Sequence, residues 1–237
     1  MKILHIVPTY WPAYSRGGPI WSVQNMNKWL VRKGIDVTVY TTDIGVAEKI
    51  PLNQEVKLDG VKVHYFKASF PRIWEYWRVG FLPAFLPRHW EYARDLHLCL
   101  AATVKNFDVI HITSTFLSTS WLGARYAKKY GKPYIISPRG NLMRPLELKS
   151  AIKKKLYISL IEGYILAGAS AVHFTVPAEQ KEYEGYQLPL KKSLVIPNGI
   201  DNEEFEIASG KADKVEVNFR EKYNIGADLR IVLFLGQ

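Results

Sequence analysis

Residues 2–40 limit the possible folds more than any other part of the chain. Residues 2–7 (KILHIV) are a short apolar run of strand length, and residues 8–18 read as a loop. Pro19 stands where a helix can begin, because its missing N–H is not needed in a first turn. Ile20, Val23, Met26 and Leu30 follow at helical spacing, which predicts Gln24, Asn27, Lys28 and Arg32 on the side facing away. Gly34 fits a helix C-cap, and residues 35–40 read as the next strand. A β-loop-α-β unit of this kind pairs its strands in parallel and needs helices to cover the sheet.

The same alternation continues along the chain. Strands are expected over 56–58 and 61–66, joined by the hairpin turn Asp59-Gly60, and then over 109–112, 134–137, 171–174 and 194–196. Helices are expected over 90–106, 116–130, 144–167 and 178–184. Residues 67–89 are irregular, with many Pro, aromatic and Arg residues. The fold class is therefore α/β, a Rossmann-like doubly wound parallel sheet. The apolar run 231–235 before Gly236 reads as one more buried strand opening a turn. The expected division is a first domain over 1–229 and, over 230–237, the first strand of a second domain.

Composition narrows the partners. Hydrophobic residues make up 48% of the 237, enough for a sizeable core. The single Cys99 excludes an internal disulfide and fits a reducing, cytoplasmic setting. No apolar stretch approaches the roughly 18 residues that span a bilayer. The formal net charge of +10 calls for an anionic partner or else serves solubility. No nucleic-acid recognition motif accompanies that charge, so nucleic acid is set aside as a partner. No cluster of metal-ligand spacing stands out, and no metal or bound cofactor is expected.

In doubly wound sheets ligands bind outside the carboxyl ends of the strands, which directs attention to the loops after residues 7, 112, 137, 174 and 196. In the first, Gly17-Gly18 precede a helix N-terminus, where unpaired N–H groups favour a phosphate; the two glycines could equally make only a turn. Neither a G-x-G-x-x-G fingerprint nor a P-loop is present there. His111 lies near the end of its strand, followed by the hydroxyls of Thr113 and Ser114; a lone histidine there is either structural or functional. Arg139, held between Pro138 and Gly140, is suited to bidentate capture of phosphate or carboxylate, or else caps a helix. Asn198-Gly199 is a turn by its chemistry. The helix after Arg139 carries Lys149, Lys153 and Lys154 on one face, either plain solvated surface or a contact with an anionic membrane. Trp74, Trp77, Arg78, Phe81 and Phe85 mix aromatics with Arg, as an interfacial anchor or lid does, or as packing under a long loop does.

The order KILHIVPTYWP, GG, VQNMNKWLVRKGIDVTVYTT, DVIH, SPRG, IPNGID and a closing LFLG resembles the GT-B glycosyltransferases of family 4 along essentially the whole chain. These are retaining enzymes of two Rossmann-like domains that move a sugar from a nucleotide donor to an acceptor. The SPRG loop looks like that of bacterial enzymes building capsule, exopolysaccharide or O-antigen on lipid carriers. The resemblance implies that Gly17 and Gly18 approach the donor phosphates. It implies that Arg16, Thr113, Ser114, Arg139, Asn141, Asn198 and Gly199 face the acceptor. His111 falls where relatives often show His-x-His, which makes it the candidate catalytic residue; Thr113 replaces the second histidine. The implied partners are a nucleotide sugar, a lipid-linked or oligosaccharide acceptor and the anionic cytoplasmic face of the inner membrane. The donor would be held mainly by a second domain, so residues 1–237 alone are expected to transfer little or no sugar. The alternatives are half of a UDP-sugar epimerase or a non-catalytic module that binds glycan or a partner.

Overall fold

The computed structural model describes residues 1–17, 19–69, 92–141, 158–199, 201, 219–226 and 228–232. They divide into two compact units, Met1–Gly199 and Ile200–Gln237. In the second unit residues 219–223 are helical, and Arg220 Nη1 donates to the carbonyls of Gly226 at 2.9 Å and Leu229 at 3.1 Å. Ile231 and Val232 are exposed and irregular, and the rest of the strand expected at 231–235 lies outside the described residues.

In the first unit the strands are β1 (Lys2–Ile6), β2 (Asp36–Thr42), β3 (Glu55–Leu58), β4 (Val61–Phe66), β5 (Val109–Thr113), β6 (Tyr134–Ser137), β7 (Ala171–Phe174) and β8 (Ser193–Val195). They form one sheet in the order β3-β4-β2-β1-β5-β6-β7-β8. Every pairing is parallel except β3 with β4, the hairpin anticipated from Asp59-Gly60. Both turn residues are left-handed, at φ 50° and 82°, as a two-residue hairpin loop requires. The order steps outward from β1 in both directions, so the sheet is doubly wound and its switch point lies between β1 and β5.

The helices are α1 (Pro19–Arg32), α2 (Arg94–Thr103), α3 (Ser118–Lys129), α4 (Gly163–Gly168) and α5 (Pro177–Gly185). One face of the sheet is aliphatic. Leu4, Ile6, Ile110, Ile112, Ile136, Val172 and Phe174 pack with Leu96, Leu100, Leu122 and Ile165. On the other face Val37, Val39, Val61 and Val63 pack with Val23 and Tyr10. This second apolar cluster covers only the β2–β4 side. Beside it β1, β5, β6 and β7 turn His5, His111, Thr113, Ser137 and His173 to the same face, which makes the neighbouring half polar.

Several sequence expectations need correction. Gln24 and Asn27 do not face away from the sheet; both are buried with Ile20 and Val23. Positions 20, 23, 24 and 27 share one helix face, and the two amides on it find partners outside the helix, with Gln24 Oε1 alone left without one among the described residues. Gln24 donates to Asp59 at 2.9 Å, and Asn27 meets Tyr10 and His5. The helix expected from residue 116 begins at Ser118, because Phe116 is left-handed at φ 63°. The expected helix over 144–167 is seen only from residue 158 onward, as a wide π-turn over Ile158–Glu162 that continues into α4; residues 144–157 lie outside the described residues.

Helix α3 lies flush on the sheet at Gly123, where an added Cβ would stand 2.8 Å from Ile6 Cδ1 and 3.0 Å from Ile112 Cδ1. Both neighbours are fully buried core side chains. Gly123→Val should therefore lower stability by about 2 kcal/mol through overpacking, read as an earlier midpoint in urea. An unchanged midpoint would show that the helix has room to lift.

Candidate functional site

Three strands of the sheet carry a histidine on one face: His5 and His111 are level on the neighbours β1 and β5, and His173 lies beyond β6 on β7. His5 on β1 stacks on His111 on β5 with ring centroids 4.2 Å apart, and His173 on β7 lies 6.2 Å from His111. Burial holds His5 neutral, bringing its pKa down to about 4, and the charges of Arg139 and His173 add to that; the hydrogen bond from Asn27 opposes it. His111 is pushed well below the ordinary value by loss of hydration, then by His5, His173 and Arg139. His173 is lowered first by burial, with Arg139 contributing. All three imidazoles are therefore neutral hydrogen-bonding groups at pH 7.

Each ring is paired. His5 bonds Asn27 Oδ1 at 2.9 Å and Thr113 Oγ1 at 2.7 Å. His111 Nε2 meets Ser137 Oγ at 2.8 Å, and the same oxygen meets His173 Nδ1 at 2.8 Å. His173 Nε2 reaches the Ile196 carbonyl at 2.9 Å. The hydroxyl of Thr113 is thus committed to His5.

Beyond these strands the chain adopts left-handed backbone at three non-glycine residues: Ser114 (φ 76°), Phe116 (φ 63°) and Arg139 (φ 55°). Conformations of this kind cost on the order of 1 kcal/mol each and persist only where neighbours hold them. Two buried glutamates supply the hold at Phe116 and beside Arg139. Glu179 on α5 accepts from Gly140 N at 2.5 Å, Thr175 N at 2.9 Å and Thr175 Oγ1 at 3.2 Å. It thereby ties the loop after β6 to the end of β7. Glu162, fully buried in the π-turn, accepts from Phe116 N at 2.8 Å, while its second oxygen has no partner among the described residues. Burial pushes its pKa up to about 8, so its carboxyl is protonated at neutral pH.

Arg139 crosses the end of the sheet. Its Nη1 donates to Asn198 Oδ1 and lies 3.4 Å from Ser22 Oγ in the first turn of α1, while its Nε is buried and unpaired among the described residues. Asn141 Nδ2 is 3.4 Å from the Thr115 carbonyl. Asn198 and Gly199 are exposed. Gly17 has φ 89° and ψ −167°, a conformation essentially confined to glycine, with nothing within 4 Å of where a Cβ would be. The structure thus brings Arg139 and Asn198 into contact and places Thr113, Ser114 and Asn141 in or beside the adjoining loops. The Arg16 side chain and Gly18 lie outside the described residues. So do Trp74, Trp77, Arg78, Phe81, Phe85, Lys149, Lys153 and Lys154.

Sequence reasoning overlooked His5, Asn27, Ser137, Glu162, His173 and Glu179. The overlooked signal was a histidine inside each of three otherwise apolar strands: KILHI, VIHIT and AVHF. Among the described residues no group of three or more His, Cys, Asp or Glu side chains is arranged to hold a metal ion, and no helix is long and apolar enough to cross a membrane. A separate cleft of about 250 Å³ is lined by Lys2, Asp36, Tyr40, Glu55, Lys62 and His64. Lys2 and Asp36 begin their strands, which puts it toward the amino ends, and its charges pair with each other, as in Lys62–Asp36 at 2.7 Å.

A doubly wound sheet with hydrogen-bonding groups gathered at its carboxyl edge defines a Rossmann-like ligand-binding domain. The chain belongs to the glycosyl transferase 4-like domain family, whose profile matches residues 17–199. No match was found among curated proteins. Among solved structures it resembles sucrose-phosphate synthase from Thermosynechococcus elongatus (TM-score 0.60, 15% identity, 96% of this chain and 53% of that one). It also resembles Anabaena HepE in complex with UDP-glucose (TM-score 0.56, 17% identity, 85% and 44%). A third is a glycosyltransferase from Rickettsia africae (TM-score 0.53, 17% identity, 96% and 50%). The chain therefore spans about half the length of these proteins, and its fold is that of one Rossmann-like half of a GT-B glycosyltransferase.

The protonated Glu162 predicts a pH signature. The folded protein keeps this proton until about pH 8, whereas an ordinary carboxyl releases it near 4.5. Any stability tied to that proton is fully present below about pH 4.5 and is lost as pH rises toward 8. Glu162→Gln, which mimics the protonated acid, should match the wild type at pH 5. It should exceed it at pH 9 by on the order of 3 kcal/mol in urea unfolding. Equal stability of the two proteins at pH 9 would show that Glu162 ionises without penalty.

Proposed function

We propose that residues 1–199 are the acceptor side of a retaining glycosyltransferase that moves a sugar from a nucleotide donor to a lipid-linked or growing bacterial glycan. The observation that carries this reading is Arg139. It is a cation at the carboxyl edge of the sheet in a member of a glycosyltransferase family, held by a strained loop and touching Asn198 from a second loop. A guanidinium so placed suits the phosphate or carboxylate of an acceptor. Asn141, Asn198 and Ser114 offer polar groups to acceptor hydroxyls, while the buried Thr113 hydroxyl acts on the site through His5. Gly17 and Gly18, at the start of α1, are suited to the donor phosphates. His111 lies deeper, under these loops, and its role is to shape them or to meet the transferred sugar. HepE has been seen with UDP-glucose, which supports a nucleotide sugar as donor.

In this reading the nucleotide is held mainly by a second, donor-side domain, and residues 1–237 alone transfer little sugar. Catalysis of transfer depends on stabilising the departing diphosphate, which the acceptor side does not do by itself. The protein works at the cytoplasmic face of the inner membrane. Its net charge of +10, the lysines at 149, 153 and 154, and the aromatic-and-arginine sequence around Trp74, Trp77, Arg78, Phe81 and Phe85 support attachment to anionic lipid. Sedimentation with phosphatidylglycerol vesicles should be strong at 50 mM salt and weak at 500 mM; equal binding to neutral vesicles would contradict an electrostatic contact.

The direct test uses the protein from the intact gene, radiolabelled UDP-, GDP- and dTDP-sugars, and a lipid extract of the source cells. Label should pass from one donor into the organic-soluble or polysaccharide fraction. Arg139→Ala should raise the acceptor KM by at least about tenfold, with the donor KM nearly unchanged. Interconversion of UDP-sugars without transfer would mark an epimerase. Binding of glycan with no turnover would mark a non-catalytic module.

A further inference from the structure

The hydrogen bonds under the site have a direction that can be deduced atom by atom. The Ile196 carbonyl can only accept, so His173 Nε2 carries a proton and donates to it at 2.9 Å. A neutral His173 then has a bare Nδ1, which must accept at 2.8 Å from the Ser137 hydroxyl. With that proton committed, Ser137 Oγ can meet His111 Nε2 only as an acceptor, so His111 is also protonated at Nε2. The chain runs one way: His111 to Ser137 to His173 to the backbone of Ile196. Burial keeps His173 in the neutral form that this direction needs. The neighbouring chain is a separate one. Asn27 Nδ2 donates to Tyr10, its Oδ1 accepts from His5 Nδ1–H, and His5 Nε2 accepts from Thr113.

The first chain ends at a functional loop. Ile196 N is itself bonded to the Phe174 carbonyl at 2.9 Å, so the peptides on both sides of Ile196 are tied to β7, one through its N–H and the other through its C=O. Two residues later Asn198 meets Arg139, and Pro197 between Ile196 and Asn198 is exposed, with no backbone bond to the sheet among the described residues. The side chain of His173 is thus the last fixed point before Asn198.

We propose that His173 is a positioning residue, which with Ser137 sets the loop over residues 196–199 so that Asn198 stands against Arg139. The positioning itself follows from the hydrogen bonds; its value for acceptor binding rests on the transferase reading above. Carbonyl, imidazole and hydroxyl act as one strut. An imidazole suits the place because it donates from one edge and accepts on the other across the gap between Ile196 and Ser137.

The test is nuclear magnetic resonance on the 237-residue chain, with His173→Phe, which keeps a ring but removes both nitrogens, and His173→Gln, which restores an amide donor. Long-range 15N–1H spectra of the wild type at pH 7 should show His173 and His111 as Nε2–H tautomers and His5 as Nδ1–H. In His173→Phe the Asn198 amide should shift toward its random-coil position and lose its heteronuclear NOE, while Asp59 and Gly60 in the hairpin stay unmoved. His173→Gln should recover most of that change. An Nδ1–H tautomer at His173, or an Asn198 amide unaffected in a folded His173→Phe protein, would overturn the proposal. If His173→Phe does not fold, the wild-type tautomers and His173→Gln decide. In the protein from the intact gene, His173→Gln should change the acceptor KM less than about threefold, and His173→Phe should raise it by about tenfold with the donor KM held. A wild type without transfer would sink the functional reading, yet the tautomers and the Asn198 shift would still decide the positioning role.

Discussion

The carboxyl edge of this sheet depends on burying three imidazoles in strands that are otherwise aliphatic. A buried polar group without a partner costs about 1–3 kcal/mol, and a buried charge far more. Burial therefore holds the rings neutral, and a neutral imidazole must donate at one nitrogen and accept at the other. That requirement brings in Asn27, Thr113 and Ser137 as partners, draws the polar face of α1 inward, and ends the longer chain on the Ile196 carbonyl. The polar half of the sheet is an ordered set of hydrogen bonds in which each member dictates the next.

The loops above it are held by a different means. Left-handed backbone at Ser114, Phe116 and Arg139 is unfavourable by itself, and the two buried carboxyls of Glu162 and Glu179 offset it by accepting from Phe116, Gly140 and Thr175. Glu179 accepts three hydrogen bonds and Glu162 one, and Glu162 is the acid kept protonated by burial. The result is a guanidinium aimed across the strand ends rather than along the chain. Strain of this kind is characteristic of ligand sites, where geometry is maintained at a cost in stability.

Much of the architecture was legible in the sequence. Apolar runs bounded by Pro and Gly located the eight strands of the sheet within a residue or two, though not one over 231–235, where Ile231 and Val232 are irregular, and Asp59-Gly60 located the one antiparallel pairing. Periodicity misplaced Gln24 and Asn27, because it sorts residues by polarity and cannot see partners on another element; Asp59, Tyr10 and His5 make that helix face suitable for amides. The start of α3 was missed because Phe116 carries no signal for a left-handed bend, which is imposed by Glu162 from 46 residues away. At the site, Arg139 and Asn198 were legible as loop residues, and their contact was not, since it spans 59 residues. The histidine chain left a trace in three strand sequences, but each histidine reads alone as an ordinary structural residue, and only the sheet order brings His5 beside His111 and links His111 to His173 through Ser137 on the strand between them.

In the proposed function, ligand is met at the carboxyl edge by the loops carrying Arg139 and Asn198. Hydrogen–deuterium exchange on the protein from the intact gene measures this directly, with and without nucleotide sugar and the lipid extract. Exchange over residues 137–141 and 196–199 should slow when both are present, with the β3–β4 hairpin unchanged. Protection confined to the cleft lined by Asp36, Glu55 and Lys62, with the two loops exchanging as before, would contradict it.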